Sequence, residues 1–275
     1  LFADDLKMFS NVKTTCDTAS LQTARCRLQQ WCTDWQLIIN TSKCYVLHLG
    51  KNNSCSKYFL NGCPVIATQN VTDLGVNIDS NLKFDFHINK ILGKAYARLG
   101  ILFKGFASRN AQLLRLAFIT FVRPLLEYAS NVWSPHLLKH INAIEKIQKR
   151  FTKRIPSLSH LTYPERLAAI NLEPLELRRL KMDLVLYFKC LNNLVALPSD
   201  VYFCSQHHAT QTRTGGNRLI MPLCSTNGFK NDFFNRCLSC YNKLPLHIVA
   251  ANSLSNFKNL LNSIDLSAYL HCNYF

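Results

Sequence analysis

The spacing of apolar residues predicts a chain that is mixed at its beginning and mainly helical afterwards. Apolar side chains recur every three or four positions over five stretches, and this is the period of a helix with one buried face. These stretches cover residues 17–35, 88–102, 111–121, 141–155 and 177–191. We therefore expect five substantial helices whose apolar stripes face a core.

Most strand-like patterns lie within residues 36–80. The short apolar runs in this part of the chain lie at residues 44–50, 58–60, 65–67 and 74–78. Asn61-Gly62 separates two of them and is typical of a type I′ hairpin turn. Together with the helical stretches, these runs predict an α+β fold.

Prolines and polar segments predict where elements begin and end. Pro124 is expected to end or kink the helix before it, whereas Pro164 and Pro174 are expected in the first turns of further helices. Residues 199–230 are polar and are expected to form a loop, and a short helix is expected at about residues 253–266.

The charge of the chain favours a polyanionic partner. The 275 residues include 32 lysines and arginines against 16 aspartates and glutamates, so the net charge is +16. No apolar run approaches the roughly 18 residues that a membrane span needs, and we expect no membrane partner. Nucleic acid is the polyanion that such a balance indicates first.

Two rows of basic residues at helical spacing are candidates for contacts with phosphates. The first row is Lys90, Lys94 and Arg98, and the second row is Lys146, Arg150 and Lys153. Within each row the side chains share one face of a predicted helix. Each row is either a phosphate-binding surface or an ordinary solvated helix face.

The 12 cysteines form no paired framework. We expect buried free thiols in a reducing compartment, nuclear or cytoplasmic rather than secreted. The one CxxC motif is Cys237 and Cys240, and Cys204, His207 and His208 are the other ligand types near it. Their spacing matches no zinc finger, so we expect no zinc site.

Two adjacent carboxylates, Asp4 and Asp5, follow an aromatic residue and an alanine at the start of the sequence. Neighbouring ionised carboxylates repel each other, and a divalent cation between them lowers that cost. Enzymes that transfer nucleotides hold two Mg²⁺ ions in this way, although an Asp-Asp pair also commonly marks a solvated turn. Residues 6–14 are a strand candidate, which would place the acidic pair at a hairpin turn.

Several short motifs follow one another in a recognisable order. They are Phe2-Ala3-Asp4-Asp5 and residues 37–44, 71–79, 82–88, 122–133, 144–150 and 241–245. In this order they resemble the reverse transcriptase of non-LTR (LINE-type) retrotransposons, in the jockey or CR1-like branch. Departures from the family pattern are Phe2 and Asp73, which stand where tyrosine is usual, and Tyr241, which stands where tryptophan is usual.

The resemblance implies RNA-directed DNA synthesis. Asp4 and Asp5 would share two Mg²⁺ ions with a third aspartate that is not present in this chain. Lys43 would lie near the departing pyrophosphate as a proton donor or charge partner, or else would be an ordinary loop lysine. The implied partners are an RNA template, a DNA primer and, in the full-length protein, dNTP.

The resemblance also implies a domain order. Residues 1–80 would be a partial polymerase palm, made of β-hairpins and one helix. Residues 81–155 would be a helical thumb whose two basic rows lie along the template–primer duplex, and residues 156–275 would be a C-terminal helical region.

The sequence leaves more than one function open. The fingers and the third aspartate would lie upstream, so we expect a C-terminal polymerase fragment that is inactive by itself. The first alternative is a non-enzymatic, basic nucleic-acid-binding remnant of a decayed element. The second is a helical scaffold that binds protein, with its charge incidental.

Overall fold

The structure is a computed structural model that describes residues 5–50, 52–197, 219–224, 226–272 and 274. It divides into two compact units, Leu1–His87 and Ile88–Phe275. Helices dominate, and the described strands pair into three two-stranded sheets. The predicted α+β class is therefore confirmed.

The first unit contains one long helix, α1 (Thr15–Asp34). Thr14 and Asp17 form a capping box at its start, in which each side chain accepts a hydrogen bond from the backbone N–H of the other. The expected stripe faces a core only in part, because Trp31 and Trp35 are 51% and 68% exposed. The two-stranded sheets of the described residues are too small to cover the whole stripe.

The strands of the first unit are short. They are β1 (Tyr45–Leu47), β2 (Phe59–Leu60), β3 (Cys63–Pro64), β4 (Ile66–Thr68), β5 (Asn70–Asp73) and β6 (Val76–Asp79). β1 pairs with β4 in parallel, whereas β2 pairs with β3 and β5 with β6 in antiparallel. Asn61 and Gly62 join β2 to β3 with φ of 52° and 73°. Both angles are positive, as a type I′ turn requires, so the hairpin prediction is confirmed.

The strand predicted over residues 6–14 is wrong. Residues 6–13 have no regular secondary structure, and Phe9 is 90% exposed. An isolated apolar pattern forms a strand only where a neighbouring strand accepts its backbone hydrogen bonds, and the described residues provide none here. The segment is instead linked to β5 by an ion pair between Lys7 and Asp73.

The described residues of the second unit are mainly helical. The helices are α2 (Asp85–Gly105), α3 (Ala111–Phe121), α4 (Arg123–Glu127), α5 (Ser130–Trp133), α6 (Leu138–Lys153), α7 (Tyr163–Ala169), α8 (Leu175–Leu191), α9 (Asn227–Lys230), α10 (Phe233–Tyr241), α11 (Leu246–Val249) and α12 (Leu254–Ser263). Short 3-10 helices lie at Thr41–Lys43, Pro156–Leu158 and Ser267–Tyr269. The predicted stripes of α2, α3, α6 and α8 are confirmed. Pro124 and Pro164 lie in the first turns of α4 and α7, and Pro174 is the N-cap of α8.

Two aromatic stacks mark the core of the second unit. Phe118 of α3 stacks on Phe151 of α6, with ring centroids 4.3 Å apart. Phe188 of α8 stacks on Phe257 of α12 at 4.2 Å. All four side chains are at most 2% exposed, so these stacks fix how α3, α6, α8 and α12 pack.

Buried Glu145 sets the orientation of α6. Its carboxylate accepts hydrogen bonds from the backbone N–H of Leu175, at 2.9 Å, and from the hydroxyl of Tyr163. Burial raises the pKa of Glu145 although these hydrogen bonds oppose the shift. Because the one acidic side chain of α6 is held inside, the opposite face of the helix points to solvent.

Candidate nucleic-acid interface

The solvent face of α6 is positively charged. Lys139, Lys146, Arg150 and Lys153 are all exposed, and Glu145, the only acidic residue of the helix, is 0% exposed. From Lys139 to Lys153 the face spans 14 steps along the helix, which corresponds to about 21 Å at the rise of an α-helix. The buried face holds Ile141, Ile144, Ile147 and Phe151, as the sequence pattern predicted.

The solvent face of α2 carries the other row. Lys90, Lys94 and Arg98 are exposed at intervals of four residues, so neighbouring side chains start about 6 Å apart. On the opposite face, Ile88, Ile91, Leu92, Ala95 and Leu99 are buried. Both rows are thus located in the second unit and on solvent-facing helix surfaces.

Several of these cations have no carboxylate partner. Among the described residues, no ion pair involves Lys94, Arg98, Lys146, Arg150 or Lys153. The carboxylates of this unit pair elsewhere, for example Glu127 with Arg178 and Asp183 with Arg236. The charges of these five residues are therefore available to an external anion.

The two helices meet at a seam that the sequence did not reveal. The guanidinium carbon of Arg150 lies 5.6 Å from the ring centroid of Tyr96, and that of Arg154 lies 4.2 Å from the ring centroid of Phe103. Arg150 belonged to a predicted row, but Arg154, Tyr96 and Phe103 did not. The available signal was a second arginine four residues after the first, which places both on one side of α6.

The predicted catalytic residues are only partly described. Asp4 lies outside the described residues, and Asp5 is exposed. Lys43 is exposed at the last position of the 3-10 helix Thr41–Lys43, which Asn40 caps by accepting a hydrogen bond from the backbone N–H of Ser42 at 3.1 Å. In the described parts of the chain no three His, Cys, Asp or Glu side chains converge as metal ligands would. The magnesium site and the role of Lys43 stay predictions.

The cysteines only partly match the expectation of burial. All 11 described cysteines are free, and four of them are buried, Cys237 and Cys240 included. Cys16, Cys26, Cys55 and Cys63 are exposed, because they lie on the open side of α1 and in the short strands and loops of the first unit. Cys240 is a core residue, and burial raises the pKa of its thiol to about 12. It is therefore not a reactive thiol. Cys204, His207 and His208 lie outside the described residues.

Known proteins of similar sequence are polymerases of mobile elements and one uncharacterised protein. Over 159 residues the chain is 28% identical to the RNA-directed DNA polymerase from mobile element jockey of Drosophila melanogaster, a match that covers 56% of this chain and 17% of that polymerase. The jockey polymerase of Drosophila funebris matches 161 residues at 28% identity, again 56% of this chain and 17% of the polymerase. An uncharacterised protein of Caenorhabditis elegans is 26% identical over 137 residues, which are 49% of this chain and 69% of that protein.

These similarities support the predicted relationship to non-LTR reverse transcriptases. The chain spans only 17% of the length of the jockey polymerases that it matches. No family model matches the sequence, and no solved structure matches it either. In the described part of the chain, no helix is both long and apolar enough to cross a membrane.

Proposed function

We propose that this chain is the palm-to-thumb portion of an RNA-directed DNA polymerase of a non-LTR retrotransposon. In this proposal the second unit binds the hybrid of RNA template and DNA primer through the basic faces of α2 and α6. The observation that carries the proposal is the set of exposed cations on these two helices, five of which have no described carboxylate partner. The similarity to the jockey polymerases and the net charge of +16 support it.

The binding mode would be electrostatic and independent of sequence. The rows on α2 and α6 carry lysines and arginines on rigid helices, where they meet phosphates rather than base edges. Each neutralised phosphate releases counterions, so affinity falls as salt rises. Three such contacts on each helix hold a duplex without reading its bases, as a polymerase that copies any template requires.

The chemistry would belong to the first unit. Asp5 offers an exposed carboxylate, a hard oxygen ligand of the kind that Mg²⁺ prefers, and Asp4 would be the second ligand of this type. Bound Mg²⁺ would supply charge stabilisation for the phosphoryl transfer from dNTP to the primer 3′-hydroxyl. Lys43, exposed at the end of its 3-10 helix, would neutralise or protonate the leaving pyrophosphate.

Neutralising one row at a time tests the binding proposal. The variant Lys146→Gln/Arg150→Gln/Lys153→Gln removes three charges from α6. A matched control, Lys230→Gln/Lys243→Gln/Lys258→Gln, removes three exposed charges elsewhere in the same unit. We expect the α6 variant to lower the salt slope of RNA–DNA hybrid binding by about 3, one for each phosphate contact, and the control to leave it nearly unchanged. Equal effects of the two variants would reject the proposed interface.

A second candidate function is binding without chemistry, as a remnant of a decayed element. The described residues favour it in one respect, since the basic faces are complete and no cluster of three metal-ligand side chains is present among them. Incubating the chain with a primed RNA template, dNTP and Mg²⁺ separates the two candidates only if nucleotides are incorporated. Incorporation that Asp5→Asn abolishes supports a polymerase, whereas binding without incorporation is expected of this chain alone under either candidate.

A further inference from the structure

The seam between α2 and α6 holds two arginines in fixed positions. Arg150 lies over Tyr96 and Arg154 over Phe103, and the two arginines are one helical turn apart, about 6 Å. A cation over an aromatic ring is held in place while it keeps its charge. Neither arginine forms an ion pair with a described carboxylate. The seam is therefore a preorganised pair of guanidinium groups with no carboxylate partner among the described residues.

A cavity lies directly beside these arginines. Its volume is about 210 Å³, and its lining is Tyr96, Leu99, Gly100, Arg150 and Arg154. Leu99 is 1% exposed and forms an apolar floor. A side chain added at Gly100 would meet nothing within 4 Å, because the space above this glycine is open. The cavity thus combines a charged wall, an aromatic ring and an apolar floor.

This combination matches the chemistry of a nucleotide. Guanidinium groups bind phosphate oxygens bidentately, and two of them one turn apart can hold a single phosphate group. Tyr96 is only partly buried and offers a flat aromatic surface on which a base stacks. A carboxylate ligand such as an acidic peptide would use the arginines but would not use the exposed part of the Tyr96 ring.

We propose that this pocket binds one unpaired nucleotide, with its phosphate at Arg150 and Arg154 and its base against Tyr96. The proposal rests on the proposed nucleic-acid function and adds that the chain also binds a single-stranded segment. A base inside a duplex is stacked on both sides and paired, so it cannot enter a concave site. The convex rows of α2 and α6 meet the duplex, Arg150 lies at the border of both surfaces, and the pocket takes a nucleotide from a single-stranded extension.

Comparing two hybrids tests the pocket. One is a blunt RNA–DNA hybrid, and the other has the same duplex with a six-nucleotide unpaired extension, each labelled for fluorescence anisotropy. We expect the wild-type chain to bind the extended hybrid roughly tenfold more tightly, the effect of one stacked base. Gly100→Leu fills the cavity without changing charge and is expected to remove this preference while leaving binding to the blunt hybrid intact.

The matched control is Gly93→Leu. Gly93 lies two turns earlier on the same face of α2, about 10 Å away, and a side chain added there also meets nothing within 4 Å. It should keep the tenfold preference. Arg154→Gln should also remove the preference, whereas Arg109→Gln, an exposed arginine that does not line the pocket, should keep it. This second pair keeps the test decisive if one glycine variant folds poorly.

The outcomes separate this inference from the function on which it rests. If the wild-type chain binds neither hybrid at low salt, the proposed function fails. If it binds both hybrids equally, or if Gly100→Leu and Gly93→Leu keep the same preference, the pocket is not a nucleotide site, while the binding of duplex by the basic rows stands.

Discussion

Removing the buried carboxylate of Asp183 should destabilise the second unit strongly. Asp183 accepts hydrogen bonds from Nε of Arg236 at 2.9 Å, from a terminal nitrogen of Arg236 at 3.1 Å and from the amide of Asn131 at 2.8 Å. Arg236 in turn donates to the backbone carbonyl of Asn131 at 2.7 Å. This cluster joins α5, α8 and α10, so one carboxylate links three helices.

The magnitude follows from burial. The side chain of Asp183 is 5% exposed and that of Arg236 is 19% exposed. Asp183→Ala leaves the guanidinium largely buried without its counterion, which costs about 3–5 kcal/mol in the free energy of unfolding. For a unit of this size, each kcal/mol corresponds to about 2–4 °C in Tm, so Tm should fall by roughly 6–20 °C.

Urea unfolding and thermal melts followed by circular dichroism measure this effect. The control is Glu173→Ala, which removes the same charge from a carboxylate that is 39% exposed and pairs with Lys181 and Arg178. Both cations keep a polar partner in this variant, because Arg178 also pairs with Glu127 and Lys181 also donates to the side-chain oxygen of Asn262. The control should therefore cost clearly less than Asp183→Ala. If Asp183→Ala costs no more than Glu173→Ala, the cluster does not hold these helices together and the reasoning is refuted.

Two further predictions concern other buried or partly buried polar contacts. Tyr163→Phe removes a hydrogen-bond donor to buried Glu145 and should lower the free energy of unfolding, measured with urea, by about 1.5–3 kcal/mol. The same substitution in a Glu145→Gln background should lower it by less, and equal losses in the two backgrounds would contradict the contact. At the C-terminal end, Glu176 accepts hydrogen bonds from the backbone N–H and Nδ1 of His271 and from the hydroxyl of Tyr274. The side-chain hydrogen bond with Glu176 raises the pKa of His271. Burial acts to raise the pKa of Glu176, but the hydrogen bonds from His271 and Tyr274 outweigh it and lower this pKa. His271 contributes its full share of stability below its unfolded pKa of about 6.5, and this share is lost as the pH rises through the higher folded pKa. Glu176 contributes its full share of stability above its unfolded pKa of about 4.5, and this share is lost as the pH falls through the lower folded pKa. His271→Ala should therefore lower the free energy of unfolding more at pH 5.5 than at pH 8. A loss that does not depend on pH would refute the proposed contact between His271 and Glu176.

The helices were largely predictable because their apolar period alone determines which face is buried. The stripes of α2, α3, α6 and α8 each exceed ten residues, and this length separates a helix from a strand. The helix α10 was missed although Asp232 caps it by accepting a hydrogen bond from the backbone N–H of Asn235 at 2.7 Å. It has only nine residues, and its aromatic and cysteine content does not favour a helix.

Other features depend on contacts that no local pattern contains. The exposure of Trp31 and Trp35 follows from the small area of the neighbouring sheets and not from α1 itself. The nucleotide pocket depends on how α2 packs on α6, more than 50 residues apart in sequence, so only the arginine spacing was visible beforehand. The basic rows were predictable because charge and helical spacing are both local properties.

The salt dependence of hybrid binding by the wild-type chain tests the central claim most directly. Six phosphate contacts on α2 and α6 predict a slope of log affinity against log salt of about −5, and a loss of roughly a thousandfold in affinity between 50 and 200 mM salt. A slope near zero, or no binding at 50 mM salt, would contradict the assignment of these helices as the nucleic-acid interface.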